Sequence, residues 1–170
     1  DLQAARCRGV EFGERLTALL PDPLDTVFLV STGSEATECA IKLSRSHGIQ
    51  VGGKGKIGIV GFTRGFHGRT LASQQAGGMA GQKAWIVNED PAILNAPFPD
   101  GYWTEDTSFD SFLKAIADRG MKPENIAGVI MESYQGVGPD FAPVEYIQKL
   151  RAWCDENQVV LTFDEVQSRS

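Results

Sequence analysis

The sequence predicts an α/β fold in which a mostly parallel sheet carries helices on both faces. Two observations carry this expectation. Short, unbroken apolar runs recur along the chain, and stretches whose apolar residues fall at helical spacing alternate with them. Strands buried on both faces read as continuous apolar runs, and their alternation with helices is the pattern of parallel strand–helix–strand units.

Taken in order, residues 1–20 read as a helix. Thr26 to Val30 reads as a first buried strand, and Ser34 to Arg45 as the helix after it, with His47 near that helix's C-terminus. Lys56 to Gly61 reads as a second strand through Ile57, Ile59 and Val60, with a helix starting near Thr70. Asn88 to Asp106, rich in Pro, Asp and aromatics, reads as a loop longer than most, with the character of a flap or an interface segment. A helix follows at Ser108 to Arg119, then a third core strand at Ile126 to Met131. Val144 to Glu156 is helical by the spacing of Val144, Ile147, Leu150 and Trp153, and Val159 to Phe163 is the fourth strand. No internal repeat, low-complexity segment or domain boundary interrupts this order.

Composition excludes several classes. The chain has 170 residues, 42% hydrophobic and 22% charged, with a net charge of −6 and no run of like charges. A surface for nucleic acid or anionic membrane needs clustered Lys and Arg, so neither is expected as a partner. The three cysteines are far apart and odd in number, without metal-ligand spacing or a disulfide framework. With no apolar run long enough to span a bilayer and no signal-peptide start, the expected compartment is the cytoplasm. The abrupt opening on a helix without an initiator Met, and the equally abrupt end, read as cut ends.

In open parallel sheets, ligands bind beyond the carboxyl ends of the strands. Four polar segments fall there. Ser31-Thr32-Gly33-Ser34-Glu35 joins a strand to a helix, where free N–H groups and the helix dipole suit a phosphate; the same residues would also serve as a simple helix cap. Phe66-His67-Gly68 offers an aromatic face for a planar ring and an imidazole for hydrogen bonding or proton transfer, or else an ordinary loop histidine. Glu132 follows the third strand. Asp164 follows the fourth, and a carboxylate there needs a partner: a protonated ring nitrogen would serve, as would a helix N-terminus or a magnesium ion. No Gly-x-x-x-x-Gly-Lys-Ser/Thr run is present, which removes the P-loop hydrolases.

Together these segments resemble the class III, ornithine-type aminotransferases, which use pyridoxal 5'-phosphate. The matching stretches are Ser31 to Ala36 through Lys42, Phe66-His67-Gly68-Arg69-Thr70, Val129-Ile130-Met131-Glu132 with Gln135-Gly136, and Phe163-Asp164-Glu165-Val166-Gln167. They occur in the family's order and approximate spacing over nearly the whole chain. The fold that the resemblance implies is the large domain of the fold-type I pyridoxal-phosphate enzymes, here in part, so that residues 1–170 form one incomplete cofactor-binding domain.

By resemblance, Gly33 and Ser34 would bind the cofactor phosphate, Phe66 would stack on the pyridine ring with His67 beside it, and Val166 would lie on the opposite ring face. Glu132 would help order the site, Asp164 would pair with the ring nitrogen, and Gln167 would hydrogen-bond the phenolic oxygen. The implied reaction moves an amino group from an amine or amino acid to a 2-oxo acid, in a homodimer whose sites take residues from both subunits.

The sequence departs from the family in three ways. Members hold the cofactor covalently through a Schiff-base lysine farther along the chain than Asp164, and none of the six residues after Asp164 is a lysine. The N-terminal segment and the small C-terminal domain of the family are also missing. The expectation is therefore a fragment that is inactive alone, or alternatively a non-catalytic truncated product that folds and binds cofactor weakly or not at all. Ser133 replaces the usual Pro, and Val137 stands where members acting on ω-amino acids carry a glutamate, which argues against that substrate class.

Overall fold

The computed structural model describes residues 2–138 and 140–168, with side chains from Arg8 onward. These fall into two compact units, residues 1–31 and residues 32–170. The first contains helix α1 (Leu2–Thr17) and an irregular segment after it. Within this unit Val27 and Leu29 lie over Gly13 and Gly9, which share one face of α1.

The second unit holds a four-stranded sheet. Its elements are α2 (Gly33–Gly52), β1 (Gly58–Phe62), α3 (Leu71–Ala76), α4 (Ala80–Lys83), β2 (Ile93–Ala96), α5 (Phe109–Asp118), β3 (Ile126–Met131), β4 (Tyr134–Gln135), β5 (Asp140–Phe141), α6 (Val144–Glu156) and β6 (Val160–Phe163). The strand order is β2-β1-β3-β6, with every pairing parallel, and β4 and β5 form a separate antiparallel pair. The expected parallel α/β sheet is present.

Side chains alternate across the sheet and define two cores. Val60, Phe62, Leu94, Val129 and Met131 point to one face, where they pack with Phe112 and Ile116 of α5 and Tyr146, Leu150 and Trp153 of α6. Ile59, Ile93 and Ile130 point to the other, against Ile41 of α2 and Ala76 of α3. Helices thus cover both faces, and that burial supplies the main stabilisation. The chain runs from β1 to β2 in one direction, and from β3 to β6 in the other. The strand order therefore reverses at β1 and β3, the place where an open α/β sheet leaves a crevice.

Three expectations need correction. Thr26 to Val30 is not a strand: it lies in the first unit, pairs with no strand among the described residues, and leaves Phe28 74% exposed. An apolar run becomes a strand only where a neighbour can accept its ladder, which periodicity alone does not report. The fourth strand is instead Ile93-Leu94-Asn95-Ala96, inside the segment read as a loop, where prolines at 91 and 97 flank a run of only four residues. Helix α2 also continues to Gly52, so His47 sits within it rather than near its end. Gly48, within α2, is a packing glycine: a Cβ there would collide with the Lys56 carbonyl and come within 2.7 Å of Ala127 Cβ.

Candidate functional site

The carboxyl edge of the sheet carries a cavity of about 380 Å³, lined by Thr32, Gly33, Ser34, Phe66, His67, Gly68, Arg69, Asp164 and Val166. That size suits a small molecule or cofactor. Three chain segments build it: the start of α2, the loop after β1 and the turn after β6.

Thr32 is the N-cap of α2, and its Oγ1 accepts from the Glu35 N–H at 3.2 Å. The N–H groups of Gly33 and Ser34 come earlier than the first helical carbonyl they could reach, so they face outward for a ligand. Nothing lies within 4 Å of the place a Gly33 Cβ would occupy, which keeps the approach open.

The loop after β1 is fastened to this helix end. The Thr37 hydroxyl donates to the His67 carbonyl at 2.8 Å, and the Arg69 N–H donates to Ser34 Oγ at 3.1 Å. Gly68, at φ +125°, lies so close to α2 that a Cβ would collide with Ser34 Oγ and sit 2.8 Å from Ser73 Oγ. Glycine is therefore required there on both conformational and steric grounds. The Glu38 carboxylate completes the join, accepting from the Thr70 hydroxyl and from the Ala72 and Ser73 N–H groups at the start of α3.

Asp164 is positioned by the sheet itself, because its N–H donates to the Met131 carbonyl at 2.8 Å and so extends the β3–β6 pairing. Its Oδ2 accepts from His67 Nδ1 at 2.9 Å, while Oδ1 has only a long 3.4 Å contact from the Val166 N–H. One carboxylate oxygen therefore keeps acceptor capacity toward the cavity. His67 is 3% exposed, and its Nε2 is buried without a hydrogen-bond partner. An orphaned ring nitrogen in a cavity wall departs from the rule that buried polar atoms are satisfied.

Glu132 stands behind the cavity wall. It is 3% exposed, and it accepts from the Phe66 N–H at 3.0 Å and the Gly136 N–H at 3.4 Å. Burial pushes its carboxyl above the ordinary value and nearby Asp164 adds to this, against the two N–H donors and His67.

Of the eight residues singled out in the sequence, Gly33, Ser34, Phe66, His67, Asp164 and Val166 share the cavity lining. Glu132 supports it from behind, and Gln167 lies outside the lining, exposed, with its side chain over Gly136. Sequence reasoning foresaw a helix cap at Ser31–Glu35, which Thr32 supplies, but missed the tasks of Thr37, Glu38 and Arg69. Arg69 places its guanidinium 5.9 Å from the Phe66 ring centroid and, among the described residues, is the one Lys or Arg of the lining. Its place in the Phe66–Thr70 run was the available signal; the partners of Thr37 and Glu38 are about 30 residues away in sequence and gave none.

The chain is 34% identical over 165 residues to the 5-aminovalerate aminotransferase of Pseudomonas putida, covering 94% of this chain and 37% of that protein. It is 36% identical over 148 residues to the acetylornithine aminotransferase of Agrobacterium fabrum, covering 85% and 33%. The chain therefore spans about a third of the length of these relatives. Among solved structures, a transaminase from the marine bacterium Virgibacillus superposes with a TM-score of 0.81 at 28% identity, over 92% of this chain and 35% of that one. A PLP-bound amine transaminase from an uncultivated Pseudomonas species superposes with a TM-score of 0.72 at 27% identity, over 82% and 33%. The class-III aminotransferase family model matches residues 5–169, and the chain belongs to that family.

Proposed function

We propose that the cavity at the carboxyl edge of the sheet binds pyridoxal 5'-phosphate. The parent reaction would be the transfer of an amino group from an amine or amino acid to a 2-oxo acid. The family and its solved relatives work with this cofactor. The observation that carries the reading is the His67–Asp164 pair facing the N-terminus of α2 across one cavity.

The residues fit the group. The first N–H groups of α2 and the Ser34 hydroxyl suit the phosphate, and Arg69 adds positive charge for an anionic group, whether phosphate or substrate carboxylate. Phe66 and Val166 supply apolar surface for the two faces of a ring. The unfilled acceptor of Asp164 suits a protonated ring nitrogen. His67 donates to the other oxygen of that carboxylate and fixes its orientation. Glu132 holds the Phe66 backbone from behind. When bound, the cofactor supplies an electron-poor ring that stabilises negative charge on the substrate carbon as its proton leaves, and Asp164 keeps that ring protonated.

A working enzyme also needs an amine to hold the cofactor covalently. No lysine lines the cavity among the described residues, and none of the seven in the sequence follows Asp164. Residues 1–170 by themselves are read as a cofactor platform, and the complete site as one that would form in a homodimer that supplies this amine.

Titrating the chain with pyridoxal phosphate, followed by borohydride reduction, tests this reading. Saturable binding is expected, weakened by roughly tenfold or more in Asp164→Ala as a charge-assisted bond is lost, with no adduct concentrated at a single lysine. Absence of saturable binding contradicts the cofactor reading, and stoichiometric trapping at one lysine contradicts the platform reading.

A further inference from the structure

Arg64 sits two residues before Phe66 and lies outside the cavity lining, yet its side chain ties three segments together. Its backbone is left-handed, with φ +63°, at the turn closed by the Gly65 N–H on the Phe62 carbonyl. For a residue with a side chain, that conformation persists only where the surroundings hold it.

The guanidinium provides the hold. Its Nη2 donates to Asp100 Oδ2, and the Asp100 side chain is shielded from solvent. The other Asp100 oxygen accepts from the N–H groups of Tyr102, Trp103 and Thr104, at 2.6, 2.5 and 3.2 Å. Burial would raise the Asp100 carboxyl, but Arg64 and these backbone donors outweigh it and bring it to about 2. Arg64 also lies 3.8 Å from the Asp140 carboxylate in β5 and over the Trp103 ring at 5.5 Å. A single side chain thus joins the loop after β1, the loop after β2 and the β4–β5 pair, at the cost of leaving its own Nε buried without a partner. Beyond Arg64, the chain is held by Gly78 N–H to Gly65 O at 2.8 Å and by Phe66 N–H to Glu132 Oε2.

We propose that Arg64 is a positioning residue for the Phe66–His67 stretch, acting through its ion pair with Asp100. The consequence for ligand binding rests on the cofactor reading of the cavity; the positioning itself does not.

Two measurements on the 170-residue chain test it, using wild type, Arg64→Gly, Arg64→Lys and Asp100→Asn. Glycine adopts the left-handed conformation readily but adds backbone freedom, so Asp100→Asn, which leaves residue 64 unchanged, isolates the loosening that comes from the lost ion pair. Amide hydrogen exchange should speed up by about tenfold or more at Phe66 and Gly78 in Arg64→Gly and Asp100→Asn, stay near wild type at Val129 and Ile130, and be partly restored in Arg64→Lys. Pyridoxal phosphate should bind those two variants about tenfold more weakly than wild type, with a changed induced circular dichroism of the bound ring. Unchanged exchange at Phe66 and Gly78 overturns the proposal whatever the cofactor does. Faster exchange with unaltered cofactor affinity and dichroism also overturns it, because Arg64 would then be structural only. Failure of the wild-type chain to bind cofactor sinks the cofactor reading instead, and the exchange rates alone then decide whether Arg64 positions the stretch.

Discussion

Asp100 and Asp164 both follow strands at the same sheet edge, and their surroundings fit them for opposite tasks. Asp100 has its acceptors filled by Arg64 and three backbone N–H groups, so it anchors a loop and offers little to a ligand. Asp164 keeps an oxygen with only a long contact, at the wall of a cavity. The difference has a signature in pH. A carboxyl lowered from 3.8 to about 2 on folding contributes stability that is fully present above 3.8 and is lost as pH falls toward 2. In Asp100→Asn that part of the acid dependence should disappear, and denaturant titrations between pH 4 and 2 should show a shallower loss of stability than wild type. An unchanged slope would mean that Arg64 and Asp100 are not paired in solution. Nothing in the sequence marked Asp100, because its cationic partner lies 36 residues away. Asp164 was legible because a strand-end carboxylate in a parallel sheet demands a partner.

At the scale of elements, the segments that chain-local rules describe were legible. Helix α6 and strand β3 have the bounds that apolar spacing predicts, and β6 differs by one residue. Elements decided by distant contacts were not. Strand β2 has only four residues and exists because β1 offers it a ladder, and α2 runs through Gly48 because that glycine meets β3 closely. Gly48→Ala tests the second point, since two opposing effects are of known size. Alanine favours a helix interior by about 0.5–1 kcal/mol, whereas overpacking against Lys56 and Ala127 costs about 1–3 kcal/mol. Net destabilisation is expected in the denaturant midpoint, with Gly55→Ala, where nothing lies within 4 Å, as the control. Stabilisation by Gly48→Ala would show that α2 stands farther from the sheet.

For the whole molecule, the parallel α/β class followed from alternating apolar runs, although one of the four strands it was counted from proved to be another segment. The class survived that substitution because both cores are set by alternation along β1, β2 and β3 rather than by the number of runs. Most of the site was legible for the same topological reason: motifs separated by 30 to 130 residues meet because parallel strands bring their carboxyl ends to one edge. What the sequence could not convey was how the wall is braced, since Thr37, Glu38, Arg64 and Asp100 act through partners on other segments. The central claim is that this edge holds a pyridoxal ring with its nitrogen at Asp164. The nitrogen-15 resonance of ring-labelled pyridoxal phosphate bound to the chain tests it most directly. A protonated ring nitrogen at neutral pH, lost in Asp164→Asn, is the predicted result; a bound cofactor whose nitrogen is unprotonated, or unaffected by that substitution, would contradict it.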